Sequence, residues 1–112
     1  MADETTGFGV TDVGLTEPEL SLILGVLRQH RDITGAILFG SRAKGTASPS
    51  SDVDLALEGI TQELQAAAIA RELDELPLPY RFDVQALAAI RNVPLRDHIQ
   101  RVGRRIHGPS LI

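Results

Sequence analysis

Residues 39–57 read FGSRAKGTASPSSDVDLAL, and the reading of this stretch decides the fold. Gly40 and Gly45 stand five apart, with Lys44 beside the second and hydroxyl residues following. A Walker-type loop needs G-x-x-x-x-G-K-[ST]. Here Gly45 is followed by Thr46 and Ala47, and Lys44 precedes the glycine instead of following it, so that reading fails. A calcium loop fails as well. Counted from Asp52, its fifth and sixth positions fall on Ala56 and Leu57, where an oxygen ligand and a glycine belong.

A third reading fits the alternation of the segment. In DVDLALE (52–58), Val53, Leu55 and Leu57 fall on one side of a strand and Asp52, Asp54 and Ala56 on the other. Two carboxylates facing the same way repel unless a cation sits between them. Hard oxygen ligands of this kind suit Mg²⁺, which completes its shell with phosphates and water. Two such ions can clamp the attacking and leaving oxygens of a phosphoryl displacement. Upstream, the apolar run ITGAILFG (33–40) predicts a buried strand ending at Gly40 and Ser41. Glycine lets backbone approach a phosphate closely, and free amides of such a turn attract anions. The Ser41 hydroxyl adds a donor, and Arg42 and Lys44 supply positive charge for a polyphosphate tail. A phosphate cradle and a pair of metal carboxylates are thus expected on adjacent strands joined by one loop.

The flanking sequence supplies the rest of an α/β domain. Thr16 and Glu19 have capping-box spacing, Pro18 suits a first helical turn, and Leu20, Ile23, Leu24 and Leu27 form one apolar face. This predicts a helix ending near His30. A second helix is expected from about Thr61 to Leu76, with Ile69, Leu73 and Leu76 on one face, broken by LPLP. YRFDVQAL (80–87) is a third strand in which Asp83 and Gln85 share the polar face. A last helix from about Pro94 carries Leu95, Ile99 and Val102 and stops at Gly103. RRIHG then offers a short edge strand. The expected architecture is a small mixed sheet with helices packed mainly on one face, and with Asp52, Asp54 and Asp83 converging on the other.

Composition bounds the function classes. At 112 residues the chain suits one domain with a modest core. Residues 1–14 read as a flexible acidic arm, and 15–112 as the domain. GFGVTDVG lacks the spacing and the preceding strand of a dinucleotide loop. With no cysteine there is no disulfide framework and no thiolate metal site, compatible with a cytoplasmic location. Neither a membrane-length apolar run nor a signal-type N-terminus is present. A net charge of −4 argues against a broad nucleic-acid surface, although Arg91, Arg96, Arg101, Arg104 and Arg105 make the C-terminal part locally basic. His30, His98 and His107 have no metal-ligand spacing and read as surface or packing residues. Ser48, Ser50 and Ser51 read as loop residues.

Gly40-Ser41, ten residues, then Asp52-x-Asp54 resembles the signature of the DNA polymerase β-like nucleotidyltransferases. At average residue usage, this pattern arises by chance in about one chain in a thousand of this length. Asp83 matches the third carboxylate of that family, which helps hold the metal and accepts the proton of the attacking hydroxyl. VPLRDHIQRVGRRIHG (93–108) is similar to the closing helix and strand of its small members, the MNT type. The resemblance implies a polymerase β-like fold, ATP as substrate and Mg²⁺, two ions, as cofactor. It further implies a HEPN-domain RNase toxin as partner, with this chain as antitoxin transferring AMP to a tyrosine hydroxyl of that toxin. Two other readings compete. One is an antibiotic-type nucleotidyltransferase acting on a small-molecule hydroxyl, whose usual additional domain has no counterpart here. The other is a non-catalytic antitoxin acting by occupancy, which has no need of a carboxylate triad.

Overall fold

The computed structural model describes residues 14–44 and 52–108; the expected N-terminal arm, apart from Gly14, and Ser48, Ser50 and Ser51 lie outside them. The predicted capping box is formed. Thr16 Oγ1 accepts from the Glu19 amide at 3.2 Å and Glu19 Oε1 accepts from the Thr16 amide at 3.0 Å, satisfying two donors that a helix start leaves open. Helix α1 (Glu17–Arg28) follows, with Ile23 and Leu27 wholly buried and Leu20 and Leu24 packed against the core. It stops two residues before His30. The His30 imidazole instead meets Glu72 Oε1 at 2.9 Å and ties the end of α1 to a later helix.

Strand β1 (Gly35–Phe39) leads through Gly40 into a four-residue helix α2 (Ser41–Lys44), closed by the Lys44 amide donating to the Gly40 carbonyl at 3.2 Å. Strand β2 (Val53–Glu58), helix α3 (Glu63–Asp74) and strand β3 (Phe82–Ala86) come next. A 3₁₀ turn (Leu87–Ala89), helix α4 (Val93–Val102) and strand β4 (Arg104–His107) complete the described chain. Asn92 caps α4 by accepting from the Leu95 amide at 2.8 Å. The expected edge strand is β4.

The sheet order is β3-β2-β1-β4. β1 pairs antiparallel with both β2 and β4, while β2 and β3 are parallel. A parallel pair needs a crossover, and α3 provides it. The sheet is therefore mixed, as expected. Its two faces are unequal. Val53, Leu55 and Leu57 of β2, with Ala36 and Leu38 of β1, meet Ile23 and Leu27 of α1 and Ala66, Ile69 and Leu73 of α3 in the main core. Each buried Leu or Ile there contributes about 1.5–3 kcal/mol relative to exposure. On the opposite face a smaller cluster joins Phe39, Ala56, Ile90 and Ile99, with Ile37, Leu87 and Leu95 against it. Thus α4 shares the face that carries the aspartates, and the three longer helices divide two against one between the faces.

Gly35 shows how an inner strand accommodates a bridge laid across it. Arg105 of β4 grips Glu58 of β2 with both terminal nitrogens, at 2.7 and 3.2 Å. The guanidinium holds the Glu58 carboxyl below its usual range. The pair spans β1 above Gly35, where an added Cβ would overlap Glu58 Oε1 and Arg105 Nη1. Both overlaps are with the ends of flexible side chains, so Gly35→Ala is expected to open the ion pair without breaking the strand. A loss of about 1 kcal/mol is expected by denaturant unfolding. The loss should shrink to a few tenths when Glu58→Gln is already present, as a double-mutant cycle would read.

Candidate active site

The site is built where β1 ends and β2 begins. Register places Asp54 between Phe39 of β1 and Asp83 of β3. Two further contacts hold that register: the Val53 amide donates to the Arg81 carbonyl at 2.9 Å, and Asp74, the last residue of α3, accepts from the Phe82 amide at 3.3 Å. The crossover helix therefore delivers β3 so that Asp83 stands beside Asp54. Asp52 lies immediately ahead of β2 and is exposed, as is Asp83, while Asp54 is half-buried.

Gly40 closes the other side. Its φ is +80°, in the region that only glycine enters freely. A Cβ added there would overlap Asp54 Oδ2. The Gly-Ser turn and the second aspartate, fourteen positions apart in the chain, are therefore in direct contact. Ser41 opens α2 and is half-buried.

Electrostatics records the crowding. The Asp54 carboxyl is pushed up to about 6, first by burial and then by the charges of Asp83 and Asp52, with Arg42 acting in the opposite direction. Asp54 thus feels both of its expected co-ligands as like charges, and a bound cation reverses that cost. Oxygen donors set this way fit Mg²⁺. Among the described residues no three His, Asp or Glu side chains are already gathered at metal-ligand spacing.

The two cations of the loop part company. Arg42 is 1% exposed. Its guanidinium carbon sits 4.6 Å from the centroid of the Tyr80 ring, and Nη1 donates to the Gly14 carbonyl at 3.2 Å. Behind the ring, the Tyr80 hydroxyl donates to the Glu19 carboxylate at 3.0 Å. Arg42, expected at the triphosphate, is thus buried against Tyr80 and Gly14. A guanidinium held by a ring face, a carbonyl and a nearby carboxylate is a fastening between α2 and the start of α1. Lys44 is exposed at the end of α2 and is the loop cation that a ligand can reach.

One group escaped the sequence reading. His98 of α4 accepts the Gly40 N–H at Nε2, 3.2 Å away, and its ring meets Phe39 edge-on, centroids 6.3 Å apart. Nothing in the spacing of His98 signals this contact, because it depends on how α4 crosses the sheet. The Gly40 amide, expected as part of a phosphate cradle, is thereby already engaged. A cavity of about 360 Å³ lined by Ile37, Glu58, Leu87, Arg96, Ile99 and Arg105, among others, lies toward the Glu58 end of β2, away from Asp54.

Comparison with known proteins agrees with this fold. Residues 22–110 match the family model described as polymerase beta, nucleotidyltransferase. No curated protein matches the chain. Among solved structures, a toxin–antitoxin with AMP-PNP superposes with a TM-score of 0.70 at 22% identity, over 81% of this chain and 74% of the other. The toxin–antitoxin MntA-HepT gives 0.65 at 18% identity, over 84% and 74%. A tri-AMPylated Shewanella oneidensis HEPN toxin in complex with MNT antitoxin gives 0.65 at 19%, over 83% and 72%. At these identities the likeness is one of fold.

Proposed function

The chain belongs to the polymerase beta nucleotidyltransferase family, and on that premise we propose that it is an antitoxin which transfers AMP from ATP to a tyrosine hydroxyl of a HEPN-domain toxin. The observation that carries the chemistry is the register of Asp54 beside Asp83, with Gly40 packed against the same carboxylate. The partner is supported by the solved relatives, which include an AMPylated HEPN toxin bound to an MNT antitoxin.

In this reading, Asp52, Asp54 and Asp83 hold Mg²⁺, which supplies charge neutralisation at the phosphate oxygens. Ser41 and Lys44 orient the β- and γ-phosphates at the end of β1. Asp83 lies on an edge strand of the sheet and is exposed, so an acceptor hydroxyl from another chain can approach it and give up its proton there. The hydroxyl oxygen bonds to the α-phosphorus, the bond from that phosphorus to the bridging oxygen breaks, and pyrophosphate leaves. Most of the rate enhancement is positioning and preorganised charge. A domain of this size offers little surface with which to grip an acceptor. That favours an acceptor presented by a folded partner over a small molecule.

The test mixes purified protein, α-labelled ATP, Mg²⁺ and a candidate HEPN partner. Label is expected on a partner tyrosine and is expected to vanish with the Asp52→Ala, Asp54→Ala double variant. Absence of label, together with full protection of cells by the double variant, overturns the enzymatic reading in favour of inhibition by occupancy.

A further inference from the structure

The Gly40 amide of the Gly-Ser turn has its partner on a distant element. It donates to His98 Nε2 at 3.2 Å across 58 residues of chain. The carbonyl of the same residue is engaged as well, accepting from the Lys44 amide at 3.2 Å. Gly40 is thus held at both ends while its α-carbon lies against Asp54. Its φ of +80° is a conformation that glycine leaves as easily as it adopts, so the residue type alone does not hold the turn there. A hydrogen bond from an otherwise orphaned, partly buried N–H does. The imidazole is itself oriented by the edge of Phe39, centroids 6.3 Å apart and planes at 80°, and Phe39 is the register partner of Asp54. His98, Phe39, Gly40 and Asp54 therefore form one contiguous assembly.

We propose that His98 is a positioning residue for nucleotidyl transfer: by accepting the Gly40 amide it fixes the Gly-Ser turn and, through it, the placement of Ser41 relative to Asp54. The inference rests on the nucleotidyltransferase reading of the site for its kinetic consequence, and on geometry alone for the hydrogen bond. The bond requires a bare Nε2, so the tautomer protonated at Nδ1 is the working one.

Two substitutions separate the acceptor from the ring. His98→Gln retains an oxygen near the position of Nε2 and removes the ring. His98→Phe retains the ring against Phe39 and removes the acceptor. Phe is expected to lower kcat/KM about tenfold, chiefly through a higher KM for ATP, with little change in Tm. Gln is expected to stay within about threefold of wild type. Hydrogen exchange at the Gly40 amide, followed by NMR without nucleotide, is expected to accelerate at least about tenfold in the Phe variant and to remain slow in the Gln variant. Equal kinetic losses in both variants, or an unchanged Phe variant, overturn the proposal. If wild type transfers no nucleotide at all, the family-based reading of the reaction fails. The exchange measurement then still decides the hydrogen bond, and unchanged protection in the Phe variant refutes it.

Discussion

Asp54→Asn is expected to abolish nucleotidyl transfer, by about a thousandfold or more, while making the metal-free protein more stable at neutral pH. The two effects have one cause. Asp54 is crowded by Asp52 and Asp83 and half-buried, which pushes its carboxyl up to about 6 from 3.8. A carboxyl whose pKa is raised on folding binds more protons in the native state than in the unfolded one. Stability is therefore fully present below about pH 4, falls as pH rises through 4–6, and stays lower above. For a half-buried group the loss is discounted for solvent screening to about 1 kcal/mol. Asparagine keeps the shape and removes the charge, so its unfolding free energy should be flatter across that window and higher at pH 7.5. On the proposed function, the same substitution removes a metal ligand and a fixed charge at the reacting phosphate, a class of change that costs a hundredfold to a thousandfold or more. Mg²⁺ should raise the melting temperature of wild type at pH 7.5 and leave Asp54→Asn nearly unmoved. Equal stabilisation of both by Mg²⁺ would falsify the placement of the ion at Asp54.

Gly40→Ala is the second large effect, and here stability and activity fall together. The φ of +80° costs a residue with a Cβ about 1–2 kcal/mol. The added methyl also overlaps Asp54 Oδ2, so the carboxylate must turn away from the position it shares with Asp83. A drop in melting temperature of about 5–10 °C is expected for a domain of this size, with transfer activity reduced about a hundredfold. Gly25→Ala is the control. That glycine lies inside α1, and nothing stands within 4 Å of an added Cβ, so alanine there should be neutral or stabilising by up to about 1 kcal/mol. If Gly40→Ala behaves like Gly25→Ala in both measurements, the contact between the turn and Asp54 has no energetic weight.

What sequence reasoning reached and what it missed divide along a physical line. The capping box at Thr16, the apolar face of α1, the alternation of β2 and the ten-residue interval between Ser41 and Asp52 are local patterns. Each follows from the period of a helix or strand, or from the count of a single loop, and each element stands within a few residues of its expected place. Asp83 was legible for the same reason: one aspartate on the polar side of an alternating strand. The burial of Arg42 was not legible. Its neighbours in the chain make it a loop cation, and the approach of Tyr80 and Gly14, 38 and 28 positions away by number, makes it a fastening.

The contact of His98 with Gly40 and the passage of α4 over the aspartate face are of the same kind as the burial of Arg42. Local sequence specifies which side chains an element presents and with what period. It does not specify strand order, crossing angle or which face a closing helix covers, because these are decided by the joint packing of all the apolar faces. The chain alone was thus enough to nominate a phosphate turn and three carboxylates as candidates, and to place the elements that carry them. The order β3-β2-β1-β4 then set Asp83 beside Asp54, Gly40 against the same carboxylate, and a histidine on the amide that was expected to be free.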